Sequence, residues 1–263
     1  MNLLGALSVI SSVVGFSVAH RYFGFKPLSQ RIIVCLVSGA LAIPSVLFAI
    51  YYFHILPERA WFYTLRSWPG TEFLAFFLGM AGGSIAAMLP RRLLVVPLFC
   101  TIATASVPYL KMVLNPLKVG ELRDQWDGDA CLQSTPSTCG PASIASMLRF
   151  AGHSASEREI AEAAHSSASG TEAWYLARYL QSRGFSPRFD FRSTFTPSVG
   201  LPALVGVRVG NFGHFIAVLE INGGDVTLVD PLSGKRKLKL ADFMKEYAFT
   251  GFHMTVTKDS SGL

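Results

Sequence analysis

Acidic side chains are almost absent from the first part of this 263-residue chain. Residues 1–118 hold nine lysines and arginines but only two acids, Glu58 and Glu72, whereas residues 119–263 hold 14 basic and 15 acidic residues. The first part therefore carries a net charge of +7, from basic residues that flank apolar runs, and the second part −1, which gives the chain its net charge of +6. That pattern argues against a basic face for nucleic acid, and no nucleic-acid-binding motif accompanies it.

Cysteine and the common cofactor motifs are also scarce. The chain has four cysteines, no C-x-x-C pair and no H-E-x-x-H motif, so no zinc site is recognisable from the sequence. The sequence also lacks a Walker A glycine loop, which excludes a recognisable ATPase. We therefore expect neither a metal nor a cofactor.

The first half does contain four charge-poor apolar runs, at 3–19, 32–53, 73–89 and 93–114. About 17 to 25 apolar residues cross a bilayer as a helix. The alternative is a buried soluble helical core, but soluble helices show a polar stripe that these runs lack. The sequence predicts an all-α bundle of about four transmembrane helices in residues 1–116, in which Gly79, Gly82 and Gly83 let helices approach closely.

Basic residues in the loops predict the orientation of this bundle. The first and third loops carry bases without acids, which places both termini on the non-cytoplasmic face. Three basic residues at or after the end of the last run favour the opposite orientation: Lys111, Lys118 and Arg123. We expect a multi-pass protein of the bacterial cytoplasmic membrane, with the lipid bilayer as a partner and the C-terminal domain on the non-cytoplasmic face.

The character of the chain changes after residue 116. Residues 117–130 are polar and contain glycine, and we interpret them as a linker and the entry to a domain; residues 131–257 are predicted to form that domain and 258–263 a tail. Within the domain, apolar periodicity predicts three helices, followed by β-rich runs with a hairpin turn at Asn222–Asp225. Helices followed by an antiparallel sheet make an α+β arrangement.

The stretch CLQSTPSTCGPASIASMLRF, residues 131–150, has the features of a prepared nucleophile. Pro141 suits the first turn of a helix, which places Cys139 at or beside the N-cap. Unsatisfied N–H groups and the helix dipole favour a thiolate there. Gly140 is expected to leave the approach to the sulfur open. Gln133 can set its side-chain amide beside the Cys139 N–H, and two such donors form an oxyanion hole.

A thiolate nucleophile also needs a base and a group that orients the base. His214 begins a predicted strand and Asp230 ends the next one, so across the hairpin their side chains can meet. Each residue has a plainer interpretation: Cys139 as a structural thiol, His214 as a sheet histidine, Asp230 as a turn former and Gln133 as a surface amide. Cys131 is either a packed small residue or, in an oxidising compartment, a disulfide partner that would silence Cys139.

Three segments together resemble the C39 family of papain-like cysteine peptidases: Gln133-x5-Cys139-Gly-Pro-Ala, Gly213-His214-Phe215 and Val229-Asp230-Pro231. The resemblance covers residues 131–256. It implies a papain-like fold, with Cys139 as nucleophile, His214 as base, Asp230 as the orienting group and Gln133 as oxyanion donor. Family members remove leader peptides, often after Gly-Gly, and are commonly the N-terminal domain of an ATP-driven exporter. Here Thr138 precedes the cysteine, where exporter domains usually have aspartate, and the domain follows the apolar runs.

The expected function is that of a membrane-anchored cysteine peptidase. Its substrate would be a membrane-associated or exported peptide or protein, and a separately encoded export system is a further expected partner. Two alternatives stay open at this stage: a non-catalytic C39-like module that binds peptides, and an acyl or peptidyl transferase on the same scaffold.

Overall fold

A computed structural model describes residues 3–53, 55–196 and 200–258. The chain divides into two compact units. The first contains Met1–Glu58 and Trp68–Leu114, and the second contains Arg59–Ser67 and Asn115–Leu263. A nine-residue piece of the apolar half therefore folds with the C-terminal domain.

Ten helices and eight strands form in the described residues. The helices are α1 Leu3–Phe23, α2 Leu28–Tyr52, α3 Ala60–Ser67, α4 Ala75–Ala86, α5 Val95–Ser106, α6 Leu110–Leu114, α7 Cys139–Phe150, α8 Glu157–Ala163, α9 Ala173–Ser182 and α10 Leu240–Glu246. The strands are β1 Gln125–Asp127, β2 Ala130–Leu132, β3 Phe185–Phe191, β4 Ala203–Val209, β5 Phe212–Asn222, β6 Asp225–Asp230, β7 Gly234–Lys239 and β8 Ala248–Lys258. Short 3-10 turns lie at Thr71–Leu74, Arg91–Leu93, Val107–Tyr109 and Val119–Glu121.

Three helical stretches are long and apolar enough to cross a membrane: Leu3–Phe23, Leu28–Tyr52 and Arg91–Leu114. The run at 73–89, which the sequence predicts as a further span, forms a four-residue 3-10 turn and the 12-residue helix α4. The 3-10 turn and α4 together, Thr71–Ala86, are shorter than the other three stretches. Within the described ranges, three stretches rather than about four reach the length and composition of a membrane span.

Glycines bring α1 and α4 into backbone contact, as the sequence predicts. A Cβ placed on Gly79 would lie 1.9 Å from the carbonyl oxygen of Ser12, and one on Gly83 would lie 2.2 Å from that of Phe16. No side chain fits at such distances, so both positions require glycine. Close packing of this kind is how apolar helices associate when lipid offers no hydrophobic driving force.

The second unit is an α+β domain built on a six-stranded sheet of order β3-β8-β4-β5-β6-β7. All neighbouring strands are antiparallel, which confirms the predicted arrangement. The hairpin between β5 and β6 turns at Asn222–Asp225, where Gly223 and Gly224 adopt positive φ angles of 58° and 84°. Glycine adopts that conformation without strain, which is why the turn was readable from the sequence.

Residues 117–130, expected to be a linker, are largely folded into the domain. β1 pairs with β2, Leu122 is 2% exposed, and the carboxylate of Asp124 accepts the backbone N–H of Arg158 at 2.9 Å. The domain therefore begins before the predicted boundary at 131. Of the predicted tail, Lys258 ends β8, and 259–263 lie outside the described residues.

Candidate active site

Cys139 begins helix α7 and is preceded by Thr138 as the N-cap residue. The first N–H groups of a helix have no acceptor inside it, so they face whatever lies before the helix. The Thr138 Oγ1 does not cap the helix; it donates to the carbonyl of Thr135 at 3.0 Å and accepts the Thr135 N–H at 3.1 Å. Thr138 thus closes the turn that leads into Cys139, whose side chain is 8% exposed.

His214 and Asp230 meet across the β5–β6 hairpin. The ladder pairs Ala217 with Val229, so one further step places Asp230 opposite Ile216, two residues from His214 on the same face. Such diagonal neighbours are within reach of long side chains. The His214 Nε2 lies 2.8 Å from the Asp230 Oδ1, and the residues are only 7% and 6% exposed.

The helix of Cys139 is tied to the strand of His214. Ser143, one turn after Cys139, donates its hydroxyl to the carbonyl of Phe215 at 3.1 Å. A Cβ on Gly140 would lie 2.9 Å from the side chain of Leu176 and 3.4 Å from the ring of Phe215. Gly140 therefore allows close packing of α7 against the core, a different role from the open approach to sulfur that we expected.

The electrostatics of His214 favour an imidazolium. Burial alone lowers the pKa of His214, but the hydrogen bond to Asp230 and the interactions with Cys139 outweigh it and raise that pKa to about 9. Because Nε2 is occupied by Asp230, Nδ1 is the nitrogen left to meet the thiol. Burial raises the pKa of Asp230, but hydrogen bonds from His214, the Leu232 N–H and a tyrosine hold it below its ordinary value.

That tyrosine, Tyr247, is a site residue that sequence reasoning missed. Its hydroxyl donates to the Asp230 Oδ2 at 3.0 Å, while the Leu232 N–H donates to Oδ1 at 2.9 Å. Burial and the charge of Asp230 raise the pKa of Tyr247 to about 12, so it stays a donor. Arg236 in turn donates to the Tyr247 hydroxyl at 3.1 Å. Tyr247 follows α10, and no motif or spacing links it to the hairpin.

Gln133 is anchored beside the end of β6. Its backbone N–H donates to the carbonyl of Pro231, the residue after Asp230, at 3.0 Å. Its side-chain Nε2 donates to the Thr135 carbonyl at 2.9 Å, which leaves the second Nε2 hydrogen for another acceptor. Its Oε1 is buried and has no hydrogen-bond partner among the described residues.

A buried carboxylate holds the segment that contains Gln133. Glu157, the first residue of α8, is fully buried. It accepts the Ser134 N–H at 2.7 Å and the Ser134 hydroxyl at 2.5 Å. The position suits an anion because the N-terminus of a helix carries positive partial charge. Glu157 is a second residue that the sequence analysis did not associate with the site.

Cys131 packs in the core of the domain and forms no disulfide. It lies on β2 with no exposed surface, and all four cysteines are free. Burial, together with the charge of Glu157, raises the pKa of Cys131 to about 12, so this thiol stays protonated and unreactive. The structure therefore agrees with the first interpretation of Cys131, a packed small residue. No cluster of three or more metal-ligating side chains occurs in the described parts of the chain.

Comparison with known proteins identifies the family. The model of the peptidase C39 family matches residues 129–261, just over half of the chain. The chain belongs to the peptidase C39 family. The match confirms the resemblance, and with it the papain-like α+β fold of the domain.

C39 relatives are distant in sequence. An uncharacterised protein of Methanothermobacter marburgensis is 32% identical over 133 residues, which cover 48% of this chain and 87% of that protein. The probable functional amyloid protease FapD of Pseudomonas aeruginosa is 26% identical over 137 residues, covering 49% of this chain and 61% of FapD. Among crystal structures, one similar domain is the peptidase domain of Streptococcus ComA, a bifunctional ABC transporter involved in quorum sensing. Its sequence is 21% identical to this chain. It superposes with a TM-score of 0.41 and covers 53% of this chain and 98% of that domain.

Proposed function

We propose that the chain is a membrane-anchored cysteine peptidase that cleaves a peptide bond in a membrane-associated or exported peptide or protein. Membership of the C39 family supports a peptidase-type function. One observation carries the assignment of residues: the buried His214–Asp230 pair, with an imidazolium stabilised up to a pKa of about 9 through Asp230 and Cys139. Three helical stretches of spanning length and composition support the anchor.

Each residue has a defined task in the reaction. The Cys139 thiolate attacks the substrate carbonyl carbon, a C–S bond forms, and the carbonyl electrons move to the oxygen. The Cys139 N–H and the remaining Nε2 hydrogen of Gln133 stabilise that oxyanion. The His214 imidazolium then protonates the leaving amine as the C–N bond breaks. A water molecule then attacks the thioester carbonyl and gives a proton to His214; the C–S bond breaks, and the acid and the Cys139 thiolate are released. Asp230 orients the imidazole and stabilises its charge throughout.

The test uses the full-length chain in membrane vesicles and a panel of fluorescence-quenched peptides, with and without a Gly-Gly pair. We expect cleavage by the wild type and none by Cys139→Ala or His214→Ala. Product masses identify the chemistry, because hydrolysis adds one water across the bond whereas a transferase would add an amine or thiol supplied to it. Peptide cross-linking without cleavage in the wild type would favour the non-catalytic binding module and refute the proposal.

A further inference from the structure

Helix α3 lies in the chain between the apolar helices α2 and α4, yet it folds with the peptidase domain. One face of this eight-residue helix is buried: Phe62 is 1% exposed, Tyr63 7% and Arg66 1%. Thr64, on the opposite face, is exposed, and its hydroxyl donates to the Ala60 carbonyl of its own helix. The pattern is that of an amphipathic helix whose apolar stripe is covered by another element.

Helix α9 makes polar contacts with α3. The Arg66 Nη2 donates to the Tyr175 hydroxyl at 2.9 Å, and the Arg178 Nη2 donates to the Arg66 carbonyl at the same distance. The Arg66 guanidinium also lies over the Tyr175 ring, 5.4 Å from its centroid. A buried guanidinium is costly unless its donors are satisfied. These matched contacts therefore indicate a specific docking site.

Aromatic contacts link α3 to β5, the strand that carries His214. The ring of Tyr63 lies 5.3 Å from that of Phe189 and 5.9 Å from that of Phe252. The ring of Phe252 is in turn 5.2 Å from that of Phe215, the residue that follows His214 in β5. Tyr63 thus supports the His214 strand from behind through a single intervening ring.

We propose that α3 is a permanent part of the peptidase domain that positions the His214 strand, and that Thr71–Ala86 and Arg91–Leu114 cross the membrane as an antiparallel pair. The second part rests on the membrane anchor of the proposed function. A folded unit cannot have a bilayer running through it, so α3 and the domain lie on one face. The chain between Ser67 and Asn115 then crosses an even number of times. Arg91–Leu114 is long enough to cross, which requires Thr71–Ala86 to cross with it.

The length of Thr71–Ala86 is compatible with a crossing. Its four 3-10 residues and 12 α-helical residues span about 26 Å, at about 2.0 Å and 1.5 Å of rise per residue. The hydrocarbon core is about 30 Å thick. A mismatch of a few Å is accommodated by local thinning of the bilayer at modest cost. Its backbone contact with α1 through Gly79 and Gly83 also suits a helix packed among other membrane helices.

Cysteine labelling of the full-length chain in sealed vesicles of known orientation tests the topology. In a background with the four native cysteines replaced by alanine, single reporters are placed at exposed positions and treated with a membrane-impermeant maleimide: Phe25→Cys, Thr64→Cys, Arg92→Cys and Asp129→Cys. We expect the reporters at 64 and 129 to react from one side and those at 25 and 92 from the other. Opposite sides for 64 and 129 would overturn the docking of α3, and reaction at 92 from the side of 64 would overturn the paired crossing. Recovery of the chain in the soluble fraction would instead refute the anchor itself.

Tyr63 variants test the positioning role, using a peptide cleaved by the wild type. We expect Tyr63→Ala to lower kcat about tenfold or more, with KM changed less than twofold, because α3 supports the strand and does not touch the substrate. Tyr63→Phe keeps the ring and should keep most of kcat; Thr64→Ala, on the exposed face, is the matched control. If Tyr63→Ala fails to fold, Tyr63→Leu serves as the milder loss of the ring. Wild-type kcat in the folded ring-loss variant would overturn the role.

Discussion

Replacing Asp230 by asparagine should lower the pKa of His214, because the imidazolium loses the carboxylate that stabilises it. The difference between the His214 pKa of about 9 and its ordinary 6.5 corresponds to about 3 kcal/mol of preference for the imidazolium. Asparagine keeps an oxygen for the His214 and Leu232 donors, so the hairpin should stay folded, but it removes the charge. Because burial still lowers the pKa and only the interactions with Cys139 still raise it, we expect the His214 pKa in the variant to fall below the wild-type value.

The measurement is the titration of histidine ring nitrogen shifts by NMR in purified full-length protein, with His214 assigned from a His214→Gln sample. The linkage has a defined sign. A folded pKa raised to about 9 stabilises the fold fully below 6.5, and that stabilisation is lost as pH rises through 9. Asp230, whose folded pKa is lowered, stabilises the fold above its ordinary pKa and loses this as pH falls through the lowered value. An unchanged His214 titration in Asp230→Asn would refute the electrostatic account of the site.

Three further predictions follow from the packing. Glu157→Ala should lower the free energy of unfolding by about 1–3 kcal/mol, because the backbone N–H it holds is left unsatisfied; Glu157→Gln should retain part of it, and equal urea midpoints for Ala and wild type would contradict this. Gly79→Ala should disrupt the unit that contains α1 and α4, since its Cβ has no room, whereas Gly39→Ala, with nothing within 4 Å, should be tolerated; thermal melts in detergent compare them, and equal melting temperatures would count against the contact. Native-state alkylation should modify Cys139 and spare the buried Cys131, so mass spectrometry that finds both labelled at similar rates would contradict the assignment.

The sequence could predict the fold of the domain and three of its candidate residues because their signals are local. A cysteine before Gly-Pro predicts a helix start, and the hairpin signal at Asn222–Asp225 brings His214 and Asp230 to adjacent strands. The contact of Gln133 with Pro231 joins residues far apart in the chain, and no local signal predicts it. The role of Gln133 as oxyanion donor, like the roles of Cys139, His214 and Asp230, stays a prediction.

The contacts that support the site could not be predicted, since they join segments far apart in the chain. Tyr247 reaches Asp230 only because α10 returns to the sheet, and Glu157 holds Ser134 from a helix 23 residues away. Nothing in the spacing of either residue distinguishes it from an ordinary core tyrosine or a helix-terminal acid. The pairing of β1 with β2 is likewise a tertiary effect, whereas polarity and glycine in residues 117–130 indicate only a loop.

Helix α3 shows how a domain boundary drawn from composition can divide a folding unit. Residues 60–67 stand among apolar runs, so composition assigns them to the membrane half. Yet their buried face is matched to the domain by an arginine, by aromatic rings and by a hydrogen bond from the Arg178 side chain to the Arg66 carbonyl. The composition of a segment reflects the average polarity of many residues, whereas the docking of a helix depends on a few side chains on one of its faces. A truncated chain that began at residue 131 would lack both β1 and α3, and the rings of Phe189 and Phe252 would lose the tyrosine that covers them. A truncation meant to keep the His214 strand in place therefore needs the chain from α3 onward.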